Sequence, residues 1–535
     1  MEFVMFRKIT PNYGFPKMEQ EVIEFWKKNE VFQKSLEGRA GAPEYVFYEG
    51  PPTANGRPHP GHVLTRVIKD LFPRYKTMCG FRVERKAGWD THGLPVEIEV
   101  EKELGISGKQ DIEKYGVAEF AEKCMASVFR YVADWEKLTE RIGFWIDLGA
   151  AYVTYTTDYV ESVWWALAEI WRKGLLYEGH KVIPYCPRCG TALSSHEVGL
   201  GYKEVSDPSI YVKFRAREDY EGRPVYYLAW TTTPWTLISN AALTVHPDFE
   251  YVYVEKDGEV LVLAGALVEK VLGEGPHKVL KTAKGRELER KRYAPLYDFE
   301  KVPEGKAHIV ALAPYVTLED GTGIVHTAPA FGQDDYEATR PYDIAVIQLV
   351  DEAGKFKPEV KPWAGTFVKK ADPKIINELK ERGLLLRQET YRHEYPFCWR
   401  CETPLLYYAR RSWFIRTTEV RDRMLENNDG IGWRPDHIRT GRFGNFLKDN
   451  VDWALSRERY WGTPLPVWRC GCGRHEVIGS KKELEERNPA AFEAFEKLRE
   501  KRPELSGHMA VHKPYIDAVT YKCAECGGEM RRVSE

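Results

Sequence analysis

The chain has 535 residues, 43% hydrophobic and 30% charged, enough for several buried cores and roughly three or four domains. Lys plus Arg (78) and Asp plus Glu (80) nearly cancel, which excludes a globally basic nucleic-acid binder and leaves any RNA contact to local patches. Met1–Thr10 lacks the basic-then-apolar layout of a secretory signal, and the best apolar run, Val260–Val268, is far too short to span a bilayer; the chain reads as cytoplasmic, with no membrane partner.

Met18, Val22, Phe25 and Trp26 recur at helical spacing and predict an amphipathic helix in an N-terminal extension, residues 1–44. Tyr45–Tyr48 reads as a strand, and the Pro/Gly-rich run from Glu49 to His62 as a loop entering a helix near Gly61. Strand, loop and helix N-terminus together make an anion site: unpaired N–H groups of the first turn point outward and the helix dipole adds positive charge. His59 and His62 stand at that mouth, which suits a nucleotide triphosphate. Further on, Val63–Tyr75 is expected to form a helix interrupted by Pro73, Val117–Ile142 one long helix, and Tyr159–Trp171 a helix that buries Trp164, Trp165 and Trp171.

Eight of the ten cysteines fall in close pairs, Cys186/Cys189, Cys398/Cys401, Cys470/Cys472 and Cys523/Cys526. Without a secretory signal such pairs read as zinc knuckles rather than disulfides, because Zn2+ takes four tetrahedral thiolates. The first two pairs are expected to hold one ion and the last two another. The single residue between Cys470 and Cys472 is an unusual spacing and leaves His475 as an alternative ligand. Cys79 and Cys124 are expected as small core residues in helices.

The two halves of the first zinc site lie about two hundred residues apart, the layout of an inserted domain. Ile210–Phe214, Tyr226–Thr231, Tyr251–Val254 and Val260–Leu263 predict short strands there, with a helix at Pro373–Arg382. The expected fold is therefore α/β: a parallel nucleotide-binding fold split by a mainly-β insertion. Its expected segments are a first half with a zinc knuckle (45–203), the insertion (204–392), a return segment (393–435) and the start of a second half with the second zinc site (436–535).

His59-Pro60-Gly61-His62 resembles the His-x-Gly-His signature of class I aminoacyl-tRNA synthetases, and the run from Glu49 resembles the isoleucine branch of that family. Gly88-Trp89-Asp90-Thr91-His92-Gly93-Leu94-Pro95 is similar to the amino-acid pocket of the same branch. The resemblance implies a split Rossmann-like catalytic domain in which His59, Gly61 and His62 serve catalysis on ATP with Mg2+. It also implies that Asp90 pairs with the substrate ammonium beside Trp89, Gly50 and Pro51. A carboxylate–ammonium hydrogen bond of that kind contributes roughly 1.5–3 kcal/mol.

Inside the insertion, Ala229-Trp230-Thr231-Thr232-Thr233-Pro234-Trp235-Thr236 resembles the threonine-rich editing peptide of the isoleucyl enzymes, and Gly321–Asp335 resembles the facing wall. Carried over, Thr231, Thr232 and Thr233, with Trp235 in the same peptide, would hold the aminoacyl ester and terminal adenosine. His326 would size the pocket and Asp335 would clamp the α-amine. Neither segment offers a Ser-His-Asp or Cys-His set, so hydrolysis by a positioned water is expected. Editing is needed because one missing methylene is worth only about 1–3 kcal/mol, a limit for which isoleucine against valine in these enzymes is the standard case.

Asp452–Gly462 resembles the family's return strand and loop, and Arg457 and Arg459 could meet RNA phosphate or adenylate, or form a solvated turn. A Lys-Met-Ser-Lys-Ser loop is absent from the sequence; Ser480-Lys481-Lys482 opens a charged helix instead. The resemblance thus implies an isoleucine-tRNA ligase sequence, partnered by its tRNA, isoleucine and ATP, monomeric, with an incomplete ligase site. A free-standing editing hydrolase, a valine enzyme and a non-catalytic zinc adaptor for RNA are the alternatives.

Overall fold

The computed structural model describes residues 14–53 and 56–535; the Met1–Thr10 reading and Ala54 and Asn55 of the loop lie outside them. The chain forms two compact units, one of residues up to Glu169 together with Arg459–Glu535, the other Ile170–Glu458. Among the described residues no helix is long and apolar enough to cross a membrane.

The first unit is built on a three-stranded parallel sheet. Phe47–Tyr48 pairs with Arg85–Trp89, which pairs with Asp147–Val153. The Pro60–Met78 helix follows the first strand and runs straight through Pro73, contrary to the expected interruption. Proline removes one backbone donor, and here the Thr77 hydroxyl donates to the Pro73 carbonyl at 2.8 Å, reinforcing the following turn. The long helix expected over Val117–Ile142 is two, Val117–Ser127 and Val132–Arg141. Ser127 Oγ turns back to the Cys124 carbonyl at 2.9 Å, and Val-Phe-Arg-Tyr after it, poor in helix formers, is wound as tight turns.

The Pro60–Met78 helix is inside out. Its covered face carries Arg66, Pro73 and Thr77, and its charges pair inward: Lys69 with Glu49, and Asp70 with both Arg74 and Arg85. Leu64, Val67, Ile68, Leu71, Phe72 and Tyr75, spaced by three and four residues, are each more than half exposed.

Two other expectations need correcting. Cys79 is exposed at the end of this helix, because it follows the last helical residue; Cys124 alone is a core residue. Trp164 is fully buried against Trp468, but Trp165, one position round the helix, is 60% exposed.

An antiparallel sheet of His475–Val477, Val467–Cys470, Glu529–Arg532 and Tyr521–Lys522 completes this unit. Ser480 caps the helix Lys481–Arg487 by accepting the Glu483 N–H, as its sequence suggests.

The second unit is mainly β. All four strands expected in the insertion are present, as Tyr202–Arg215, Val225–Thr231, Glu250–Lys256 and Glu259–Ala264, within a nine-stranded sheet. Tyr202–Arg215 pairs antiparallel with Leu385–Pro396 along its length, from Tyr202 opposite Pro396 to Val212 opposite Leu385. Chain entering and chain leaving this sheet therefore run side by side. A second sheet pairs Leu176–Cys186 with Leu406–Ile415.

Candidate functional site

At the start of the Pro60–Met78 helix, His59 is the N-cap. Its Nδ1 accepts the Gly61 N–H at 3.2 Å, while its own N–H donates to His62 Nδ1 at 3.1 Å. Both Nδ1 atoms being acceptors, each neutral ring carries its proton on Nε2, a donor turned away from the backbone. The rings lie 3.7 Å apart, and a Cβ on Gly61 would come within 3.0 Å of the His59 ring, so glycine lets the cap close. Burial, then the neighbouring His59 and Arg66, lowers the His62 pKa.

Glu49, Gly50, Pro51, Pro52, Thr53 and both histidines line one cleft of 520 Å3, floored by Lys69 and Trp135. Asp90 is tied to that lining by backbone, its N–H donating to the Pro52 carbonyl at 3.0 Å and a bridge to Thr53, but it is not itself a lining residue of the cleft. Trp89 is turned into the core, 4% exposed, and packs with Trp135. Tyr152, which sequence reasoning missed, donates to the Glu49 carbonyl at 2.7 Å. Gly88 makes room for it, since a Cβ there would sit 2.3 Å from the ring.

The second unit holds a pocket of 320 Å3 lined by Thr231, Thr232, Thr233, Thr236, His326 and Asp335, among others. The threonine loop is internally ordered. Thr233 N–H donates to Thr231 Oγ1 at 3.1 Å, and Thr236 Oγ1 donates to the Thr233 carbonyl at 2.7 Å. Trp235 stands behind the loop rather than in the lining: it is 3% exposed, against Phe331, and its N–H donates to Asp372 Oδ1 at 2.8 Å.

His326 is fixed in one protonation state. Asn240 Nδ2 donates to His326 Nδ1 at 2.8 Å and to the Ala242 carbonyl, while Tyr293 donates to Asn240 Oδ1 at 2.7 Å. His326 Nε2 therefore carries the proton and donates to Thr236 Oγ1 at 3.1 Å. Burial pushes its pKa down to about 3, so the ring is neutral at physiological pH and both nitrogens are occupied. Asp335 accepts from Ala328 N–H at 2.8 Å and from Tyr315 at 3.2 Å, and burial pushes its carboxyl up to about 6. Asn240, Tyr293, Tyr315 and Asp372 carry no local signature and were not legible in the sequence.

The eight paired cysteines form two clusters, Cys186, Cys189, Cys398 and Cys401 in the second unit and Cys470, Cys472, Cys523 and Cys526 in the first, the sulfurs of each within 4.8 Å of one another. Each turn closes the same way. Gly190, Glu402 and Gly527 sit four residues after the first cysteine of their pairs with φ of 63°, 57° and 69°, donating back to that cysteine's carbonyl at 2.8–2.9 Å. For the shorter Cys470 pair the left-handed residue is Gly473, one position earlier, donating at 3.0 Å. That one-residue contraction explains how Cys470-Gly-Cys472 supplies two sulfurs without His475, whose Nε2 accepts from Arg469 instead. Four converging thiols fit Zn2+ in both places.

Arg457 and Arg459 are both engaged by carboxylates. Arg457 pairs with Glu197, and Arg459, 7% exposed, with Glu97 and Glu101. In each case the guanidinium is neutralised by protein carboxylates of its own unit.

Residues 21–512 match the family described as tRNA synthetases class I (I, L, M and V), and the chain belongs to that family. Among its relatives is the isoleucine–tRNA ligase of Clostridium novyi (strain NT), 55% identical over 531 residues, a match that covers 99% of this chain and 49% of the relative. The isoleucine–tRNA ligase of Thermus thermophilus is 51% identical over 535 residues, with the same coverage. The chain spans about half the length of the curated relatives it matches. A solved ternary complex of Agrobacterium radiobacter K84 agnB2 LeuRS with tRNA and LeuAMS aligns with 98% of this chain and 58% of that one, at 15% identity and a TM-score of 0.37, too loose a likeness to carry weight.

Proposed function

We propose that the protein to which this chain belongs attaches isoleucine to its tRNA through an isoleucyl adenylate, and that the chain carries both the activation cleft and the pocket that hydrolyses valyl esters. The observation that carries the reading is the convergence on one 320 Å3 pocket of three successive threonines, a histidine locked neutral and a buried carboxylate.

In the activation cleft, ATP enters as its Mg2+ complex. The Nε2–H groups of His59 and His62, with the first N–H groups of the helix, supply preorganised donors for phosphate oxygens as the isoleucine carboxylate attacks the α-phosphorus and pyrophosphate departs. Asp90 takes the substrate ammonium, with Gly50 and Pro51 lining the cleft.

In the editing pocket, Thr231, Thr232 and Thr233 hold the ester and adenosine, and Asp335 takes the α-ammonium. His326 limits side-chain size. With one nitrogen accepting from Asn240 and the other donating to Thr236, His326 does not act as a base, so a water held among the hydroxyls is the nucleophile.

Both cysteine clusters bind structural zinc. The editing insertion spans about residues 204–392, a reading supported by the paired strands at its root, between a first catalytic half at 45–203 and later segments at 393–435 and 436–535. The enzyme is taken to act as a cytoplasmic monomer.

The test offers the purified, zinc-replete chain valyl- and isoleucyl-tRNA, and measures ATP–pyrophosphate exchange with isoleucine, valine and leucine. Faster loss of the valyl ester and exchange preferring isoleucine are expected. Equal deacylation of both esters refutes the editing assignment; exchange preferring valine restores the valine enzyme; deacylation without exchange leaves an editing hydrolase.

A further inference from the structure

The loop Asp90-Thr91-His92-Gly93 joins the strand Arg85–Trp89 to the helix Leu94–Leu104, and it is held from a part of the sequence far away. Thr91 is fully buried. Its N–H donates to Thr154 Oγ1 at 2.9 Å, and its carbonyl accepts the indole N–H of Trp461 at 2.6 Å. Gly93, with φ of 92°, donates to the Trp461 carbonyl at 3.0 Å. Trp461 thus receives the loop at its backbone and grips it with its ring.

His92 completes the grip. His512 Nδ1 lies 2.8 Å from the His508 carbonyl, which only accepts, so that nitrogen carries the proton and His512 Nε2 is an acceptor. His92 Nε2–H donates to it at 2.9 Å. The Trp461 ring stacks on His512 at 5.0 Å and meets His92 edge-on at 5.1 Å. Trp461 and His512 are both fully buried. Leu505, Met509 and Val511 set the His512 segment in the same core as Trp461 and Trp468. Both gripping residues belong to the stretch that contains the Cys470–Cys526 cluster.

We propose that Trp461 and His512 are positioning residues for the amino-acid subsite: they hold the Asp90–Gly93 loop in one conformation, so that the Asp90 carboxylate meets the substrate ammonium without reorganising. This rests on the reading of Asp90 as the ammonium partner. The physical gain is preorganisation, since a loop ordered before binding spares the entropy of ordering it on binding.

The experiment uses the 535-residue chain and three variants. His512→Leu removes the acceptor, Trp461→Phe removes the indole donor but keeps a ring, and His512→Gln keeps an acceptor near the Nε2 position. Calorimetry measures binding of a sulfamoyl analogue of isoleucyl adenylate and of the same analogue lacking the α-amine. His512→Leu and Trp461→Phe are expected to weaken the amine-bearing analogue by about tenfold and leave the other unchanged. His512→Gln is expected to restore most of the loss.

Equal weakening of both analogues means that the residues only hold the fold and overturns the proposal, as does unchanged discrimination in His512→Leu and Trp461→Phe. A wild-type chain that binds neither analogue, or both equally, overturns the Asp90 reading itself and the proposal with it.

Discussion

Arg459 and Glu97, 362 positions apart in the chain, form an ion pair in which the carboxylate is fully buried and the guanidinium is 7% exposed. Glu97 also accepts the backbone N–H groups of Tyr460 at 2.9 Å and Trp461 at 2.6 Å, and Glu101 takes a second side of the guanidinium at 3.0 Å. Removing one partner of such a pair strands the other in a dry site. Arg459→Leu is therefore expected to destabilise the unit containing it by about 3–5 kcal/mol, read as a lower denaturant midpoint. A midpoint shift below about 1 kcal/mol, typical of an exposed pair, would show that water reaches these carboxylates.

The α-ammonium clamp proposed for Asp335 needs an ionised carboxylate, and burial pushes that carboxyl up to about 6. Deacylation of valyl-tRNA is expected to rise with pH through about 6 and level off above it. Asp335→Asn should lose this rise and most of the activity. A wild-type profile flat from pH 5 to 8 would contradict the assignment.

Asp372 is raised further, to about 7, by burial first, with Asp207 adding to it and Lys369 and the Trp235 N–H opposing. Its folded pKa lies above its unfolded value of about 3.9. The folded state therefore binds the proton more tightly, and stability falls as pH rises from about 4 through about 7. Asp372→Asn keeps an oxygen for the Trp235 N–H and removes the charge. Thermal melts should show no gain at pH 4 and a gain of about 2–4 °C at pH 8; a shift of equal size at both would exclude the carboxyl as its cause.

Metal analysis of the chain should return two zinc ions, one for each cluster of four thiols. Cys401→Ser is expected to release one ion and leave the Cys470–Cys526 site filled, since their ligands are shared by neither. Loss of both ions together would show that the sites fold as one.

The apolar stripe on the Pro60–Met78 helix should bind a hydrophobic dye. Val67→Lys with Leu71→Glu is expected to lower that emission, with stability changed by no more than about 0.5 kcal/mol per substitution, because both side chains are more than half exposed already. Emission unchanged by the pair would mean that the stripe is covered in solution.

Much of the site was legible before any coordinates, and for one reason: its signals are local. Backbone N–H groups left over at a helix start, and cysteines separated by one or two residues, each act within a few residues, so their order in the chain is their order in space. The same locality made the four insertion strands readable from their β-branched and aromatic runs.

What the tertiary structure alone decided are the meetings of distant segments. Asn240 sets the tautomer of His326 from 86 positions away, Asp372 anchors Trp235 from 137, and Arg459 neutralises Glu97 from 362. Nothing in the residues beside any of them marks its partner. The Pro60–Met78 helix makes the same point in reverse. Its helical run was legible, but periodicity reports only that two faces differ, and it took the ion pairs of Lys69, Asp70 and Arg85 to turn the polar face inward. Sequence determines which residues can share a face or a turn, because bonded geometry is short-ranged. Which faces and turns come together depends on packing and desolvation summed over the whole chain, and no window of sequence contains that sum.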